Sequence, residues 1–317
     1  MPSIFAVMFI FMVYNICMLT DKQILNLQEK ANDIRESIIT MLLAAGSGHT
    51  AGPLGMADIF AYMYFYGLRH DPVNPLWPER DRLVLSNGHI NPVLYAAMAH
   101  SGYFPVEELK TLRKFGSRLQ GHPHREFLPY LENSSGPLGS GLSQAVGMAL
   151  ADRMFVPEGG GSTEIDLKSQ KYFYCLLGDG ELDEGQNWEA IMLAAKYKLH
   201  NIIAIVDRNN IQIDGYTEDV VPLDSLTKKW ESFNWHVQEI DGHNFADIDN
   251  AINRAKAIFE KPSVIIARTI PGKGVPEFER DYHWHGYAPN AKTAVEDYKQ
   301  AFNELRTLGG KIKSEHE

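Results

Sequence analysis

KYFYCLLGDGELDEGQNWEAIMLAAKYKLHNIIAIVDRNN, residues 171–210, is the stretch that decides the fold. An apolar run, Lys171–Leu177, ends in Gly178-Asp179-Gly180. Helical periodicity follows over about Glu184–Tyr197, then a second apolar run, Asn201–Val206, and a loop, Asp207–Asn210. Strand, helix, strand in this order is a βαβ unit. Its two strands lie parallel, so both present their C-terminal ends at one edge of the sheet, where doubly wound sheets bind ligands. If the strands are neighbours, the carboxylate of Asp179 and a carboxamide oxygen of Asn209 or Asn210 converge there. Two or three hard oxygen donors suit Mg²⁺, which keeps its other positions for water and phosphate oxygens, and a diphosphate is its natural co-ligand. The glycines let an anion approach the backbone, and the helix N-terminus near Glu184 adds N–H dipoles. Alone, Gly-Asp-Gly is more often a turn and Asn-Asn more often loop chemistry; the pairing at βαβ distance carries the weight.

Further strands are expected at Arg82–Leu85, Trp235–Glu239 and Ser263–Ile270, and helices at Gln23–Ala45, Met56–Tyr66, Val106–Phe115, Leu142–Phe155 and Phe245–Glu260. The fold class is therefore α/β, a mostly parallel sheet with helices on both faces. Three small-residue loops end in histidine: Gly46-Ser47-Gly48-His49, Ser86-Asn87-Gly88-His89 and Gln120-Gly121-His122. A glycine-rich loop, Asn133–Gly141, leads into the Leu142–Phe155 helix, whose small residues permit close packing on a sheet. Pro157–Gln170 reads as an exposed loop, and Lys292–Leu308 as a charged helical tail. No linker divides residues 21–317.

With 317 residues, 44% of them hydrophobic and 22% charged, the chain can bury a substantial core. A net charge of −10 without a basic stripe argues against nucleic-acid binding. Cys17 and Cys175 are too few for a disulfide framework and fit a reducing compartment, hence the cytoplasm. Residues 1–20 carry no charge through Thr20 and form an apolar extension. Its Tyr14 and Asn15 and its lack of basic flanks oppose an anchor or signal peptide, so no membrane association is expected. A start of translation at Met18, before an amphipathic helix capped by Thr20 or Asp21, is preferred over an ordered apolar arm.

The segment LLGDGELDEGQNWEAIMLAAKYKLHNIIAIVDRNNIQIDG resembles the thiamine diphosphate motif of transketolases, which begins with Gly-Asp-Gly and ends in an Asn. AGSGHTAGPLGMADI, DRLVLSNGH, LQGHPH, SSGPLGSGLSQAVGMA, IDGHNF and PGKGV followed by WHGYAP resemble successive blocks of the same family in the same order, over about Gln28 to Asn290. The resemblance implies that Asp179, the side chain of Asn209 and the backbone carbonyl of Ile211 coordinate Mg²⁺, with Ca²⁺ or Mn²⁺ as substitutes. Gly180 would contact the diphosphate, and His89 and His285 would face it. Gly136, Pro137 and Leu138 would hold the aminopyrimidine and thiazolium. His49 and His122 would face the sugar, with His285 close to the reacting centre. Glu184 would be a buried acid of the subunit interface. Several imidazoles around one carbonyl centre suit ketol transfer, which moves protons on sugar hydroxyls near neutral pH. His100, His236 and His243 lack such support and read as ordinary structural histidines.

The resemblance further implies transfer of a two-carbon ketol unit from a ketose phosphate to an aldose phosphate, as in the pentose phosphate pathway, with thiamine diphosphate holding the electron pair released on carbon–carbon cleavage. In that family a glutamate activating the aminopyrimidine lies in a following domain that has no counterpart here. A C-terminal transketolase subunit is therefore expected as partner, in a heterotetramer with homodimeric pairing. Thr50 and Ser140 depart from the commoner Pro and Gln; with His124 after Gly-His-Pro, they leave the choice of ketose and aldose open. The alternatives are a subunit resembling deoxyxylulose-phosphate synthase or a 2-oxoacid dehydrogenase, and a non-catalytic scaffold retaining the fold.

Overall fold

A computed structural model describes residues 18–154 and 170–287. The apolar stretch 1–17, the loop 157–169 and the tail Lys292–Leu308 lie outside the described residues. Five strands, β1 (Arg82–Leu85), β2 (Phe173–Gly178), β3 (Ile202–Arg208), β6 (His236–Asp241) and β7 (Ser263–Arg268), form one sheet in the order β1-β2-β3-β7-β6. Every pair is parallel. A two-residue antiparallel pair, β4 (Ile211–Gln212) with β5 (Gly215–Tyr216), sits beyond β3. The expected strands all appear, within two residues at their ends.

Alternation along the strands builds two cores, because successive side chains point to opposite faces. Tyr174, Leu176, Ile203, Ile205 and Ile265 meet α1 (Asp21–Ala45), α3 (Ala57–Tyr62), α4 (Asn91–His100) and α9 (Phe245–Lys256) on one face. Phe173, Cys175, Leu177, Ala204, Val206 and Ile266 meet α5 (Ser140–Met154), α6 (Gly185–Lys196) and α8 (Leu226–Ser232) on the other. Strands buried on both faces read as nearly continuous apolar runs for this reason. Cys175 lies in the second core, where burial pushes its thiol pKa well up and keeps it unreactive.

The start of α1 follows from a capping box: Gln23 N–H donates to Thr20 Oγ1 at 3.3 Å and Thr20 N–H to Gln23 Oε1 at 2.9 Å. The expected helix Phe245–Glu260 ends four residues early, at Lys256. Two other expected helices differ in kind. Met56–Tyr66 is preceded by a short helix, α2 (Ala51–Gly55), and is α-helical only through Tyr62, with a π turn over Met63–Gly67. Val106–Phe115 is a 3₁₀ turn over Val106–Thr111 that stops where Arg113 takes φ 60°. Only Leu109 and Leu112 are buried there, too few apolar contacts to hold a full helix against that reversal. The last short helices are α7 (Thr217–Val220), after β5, and a 3₁₀ turn at Tyr282–Trp284. No helix among the described residues is long and apolar enough to cross a membrane.

Candidate active site

The C-terminal ends of β1, β2 and β3 lie side by side, with Gly178 paired to Asp207, so the loops after β2 and β3 meet. Asp179 is buried there at 1% exposure. Its Oδ1 accepts from Gly180 N at 2.7 Å, and its Oδ2 from Asn210 N at 2.7 Å and from Arg208 Nη1 at 3.1 Å. Asn209 Oδ1 accepts from Ile211 N at 3.0 Å, while its Nδ2 donates to Asp207 Oδ2 at 2.8 Å. Asp179, Asn209 and Ile211 thus share one corner. Burial raises the Asp179 pKa to about 6 against the pull of Arg208 and two backbone N–H groups, and raises that of Asp207 to about 7. Among the described residues, no group of three His, Cys, Asp or Glu could hold a metal ion. A metal here would instead use one carboxylate, one amide oxygen and a carbonyl. That hard, sparse set fits Mg²⁺ with phosphate oxygens completing it.

Three histidines form the adjoining wall. The ring centroids of His49 and His89 are 4.9 Å apart, those of His89 and His285 5.1 Å, and those of His49 and His285 5.7 Å. His49 follows Gly48, whose φ of 139° and whose hydrogen, where a Cβ would lie 2.5 Å from Leu42, require glycine. Burial, reinforced by the neighbouring imidazoles, lowers the pKa of His49 to about 3 and that of His89 well below its usual value; burial lowers that of His285 to about 4. All three are neutral near pH 7. His122 is more exposed, beside Gly136, where a Cβ would come 3.9 Å from its ring, and burial with Arg113 lowers its pKa too.

Gly136, Pro137 and Leu138 lie in the loop before α5, and the loop is pinned from several sides. Ser140 Oγ donates to Pro137 O at 2.8 Å, and Gln186 Nε2 donates to Leu138 O at 2.9 Å. Gly139, at φ 83°, has no room for a Cβ, which would fall 2.9 Å from Glu184 Cβ. Glu184 itself, expected as a buried acid, is exposed on this chain; the buried acid of the segment is Glu181, at 3% exposure. The 3₁₀ turn Gly180–Asp183 turns Glu181 inward and leaves Glu184 at the N-cap position of α6. Gly180 already donates its N–H to Asp179, and a Cβ there would fall 3.0 Å from Gln212.

Sequence reasoning missed Glu181, Arg208 and Arg113. A charged pair, Asp207-Arg208, closing an otherwise apolar strand is a usable signal, since buried charge demands partners. Arg208 meets Asp179, Thr217 Oγ1 at 3.0 Å, Glu218 at 2.5 Å and Asp224 at 3.3 Å. Arg113 reaches over the His49 loop, with Nη1 3.5 Å from Ser47 Oγ. His243 is structural, held between Asp58 Oδ2 at 2.7 Å and Ile270 N at 2.8 Å, and His100 bonds Ser37 Oγ at 2.8 Å.

Buried polar atoms ordinarily have partners. His49 Nδ1, His285 Nδ1, Asn87 Oδ1 and Ser135 Oγ have none. Their clustering where β1 and β2 end is what a site shaped for a polar ligand leaves behind, and thiamine diphosphate fits it. The depressed histidines also set an acid sensitivity. Unfolded, these imidazoles take protons near pH 6.5; folded, His285 and His49 refuse them until about 4 and about 3. Their contribution is complete above pH 6.5 and is lost as pH falls toward 4, while Asp179 and Asp207, raised in the fold, act in the opposite sense. Thermal unfolding at pH 7, 6 and 5 is therefore expected to show a smaller acid-side drop for His285→Asn than for the parent chain; equal drops would contradict the assignment.

The model of the family described as "Transketolase, thiamine diphosphate binding domain" matches residues 27–305. The chain is 43% identical over 289 residues to the 6-deoxy-6-sulfo-D-fructose transketolase subunit SqwG of Clostridium sp. (strain MSTE9), covering 91% of this chain and 99% of that protein. It is 37% identical over 292 residues to an apulose-4-phosphate transketolase subunit of Phocaeicola vulgatus, covering 92% and 97%. Against transketolase 1 of Escherichia coli, 39% identical over 263 residues, it spans only 39% of the relative's length. Among solved structures, the transketolase of Campylobacter jejuni superposes with a TM-score of 0.77 at 37% identity, covering 87% of this chain and 42% of that one. A transketolase variant from Pichia stipitis gives 0.80 at 35% identity, covering 88% and 40%.

Proposed function

Since this chain belongs to the transketolase family, whose thiamine diphosphate binding domain it carries, we propose that it is the cofactor- and metal-binding subunit of a two-chain transketolase. The observation that carries this reading is the meeting of Asp179, Asn209 and Ile211 at one corner, beside the wall of His49, His89 and His285. Asp179, Asn209 Oδ1 and the Ile211 carbonyl would hold Mg²⁺; Gly136, Pro137 and Leu138 would receive the aminopyrimidine and thiazolium; Gly180 and His89 would flank the diphosphate. When bound, thiamine diphosphate supplies the electron sink that ketol transfer needs.

The chain's own residues bind and move protons. His49, His122 and His285, neutral near pH 7, accept protons from sugar hydroxyls or donate hydrogen bonds to them as the two-carbon unit leaves and joins. Asp179, almost fully buried, and the half-buried His89 limit the access of bulk water to the diphosphate corner. The names of two relatives describe sugars with a terminal sulfonate or phosphate, and exposed Arg113 beside the His49 loop supports a ketose of that anionic class here.

Spanning about two-fifths of full-length relatives but nearly all of two relatives called subunits, the chain would work with a C-terminal transketolase subunit. We place Glu184, exposed here, at the homodimeric contact of the resulting heterotetramer. Two cysteines without metal-type spacing suit the cytoplasm. Calorimetric titration with thiamine diphosphate, with and without Mg²⁺, tests the reading. Binding that requires the metal supports it, and binding indifferent to the metal removes the corner from the account.

A further inference from the structure

The carboxylate of Glu181 touches three of the loops around the site. Its Oε1 accepts from Gly139 N at 2.7 Å and from the Ser86 hydroxyl, and its Oε2 accepts from Gly178 N at 3.0 Å. Ser86 Oγ in turn accepts from Gly141 N at 3.1 Å, which ties in the first turn of α5. Ser86 is fully buried, and Gly141 lies against it so closely that a Cβ would fall 2.5 Å away. The loop after β1, the Gly136–Gly139 loop and the loop after β2 are therefore joined through one side chain. An ionised carboxylate only accepts, so it can satisfy three donors at once, which a carboxamide of the same shape cannot.

We propose that Glu181 is a positioning residue that fixes the distance between the Gly136–Gly139 loop and the Gly178–Asp179 loop, so that both ends of thiamine diphosphate are received together. This rests on the reading of those loops as the seats of the aminopyrimidine and the diphosphate. A ligand that bridges two seats gains from their being preset, because its second contact forms at high effective concentration. A ligand that occupies one seat does not gain. Glu181 thus matters for the whole cofactor and much less for its diphosphate end alone.

The test compares two ligands on the full-length chain by calorimetry, thiamine diphosphate with Mg²⁺ and inorganic pyrophosphate with Mg²⁺. For Glu181→Gln the dissociation constant of the cofactor is expected to rise about 10-fold or more, and that of pyrophosphate by less than about threefold. Ser86→Ala, which removes one donor and keeps the carboxylate, should show the same imbalance at smaller size, and it serves if the Gln variant does not fold. Equal losses for both ligands would make Glu181 merely structural and overturn the proposal, as would unchanged cofactor binding. If the parent chain binds no thiamine diphosphate either alone or mixed with the C-terminal subunit, the functional reading and the proposal fall together; if it binds and the variants match it under the same conditions, only the proposal falls.

Discussion

Asp179→Ala is expected to weaken Mg²⁺-dependent binding of thiamine diphosphate about 100-fold or more, as loss of a metal's only carboxylate should. The other two proposed ligands, Asn209 Oδ1 and the Ile211 carbonyl, are neutral oxygens. Asp179 also orders the corner: its two oxygens hold Gly180 N, Asn210 N and Arg208. The fold should survive, because Arg208 keeps Thr217, Glu218 and Asp224 when Asp179 is gone. Calorimetry of the folded variant at fixed Mg²⁺ reads the effect. Affinity within about threefold of the parent would place the metal elsewhere.

Asp58→Ala is expected to cost about 3–5 kcal/mol of stability, because it strands the guanidinium of Arg35 in the core. Arg35 is 1% exposed, and its Nη1 and Nη2 lie 3.1 and 2.5 Å from the Asp58 oxygens. Burial opposes ionisation of Asp58, but Arg35 and His243 hold its pKa well below the usual carboxylate range. The consequence reaches the site. Asp58 orients His243, which accepts from Ile270 N, and the loop after Ile270 is tied by Gly272 N to Ala51 O at 2.8 Å, next to the His49 loop. A fall in melting temperature of about 10 °C is expected, with a milder fall for Asp58→Asn. A shift under about 2 °C would show the pair to be dispensable.

The sheet was legible because β2 and β3 are buried on both faces and write themselves as unbroken apolar runs ending in turn residues. The convergence of Asp179 with Asn209 was legible for a topological reason: parallel neighbours must bring their following loops together. His49, His89 and His285 sit far apart in sequence; small-residue loops linked the first two, and only the family resemblance added His285. The structure brings their rings within 6 Å. Glu181 was not legible, since in Gly-Glu-Leu-Asp-Glu any of three acids could face inward, and the 3₁₀ turn rather than composition selects the first. Val106–Phe115 misled because helical spacing of two leucines does not reveal the left-handed step at Arg113.

The most direct test of the central claim is ketol transfer assayed by mass spectrometry of the sugar products. A ketose phosphate donor and an aldose phosphate acceptor would be supplied with thiamine diphosphate and Mg²⁺. They would be incubated with this chain, with the C-terminal transketolase subunit of the same organism, and with both. A product two carbons longer than the acceptor, formed only when both chains are present, is the predicted result; transfer by this chain alone, or none by the mixture, would contradict it.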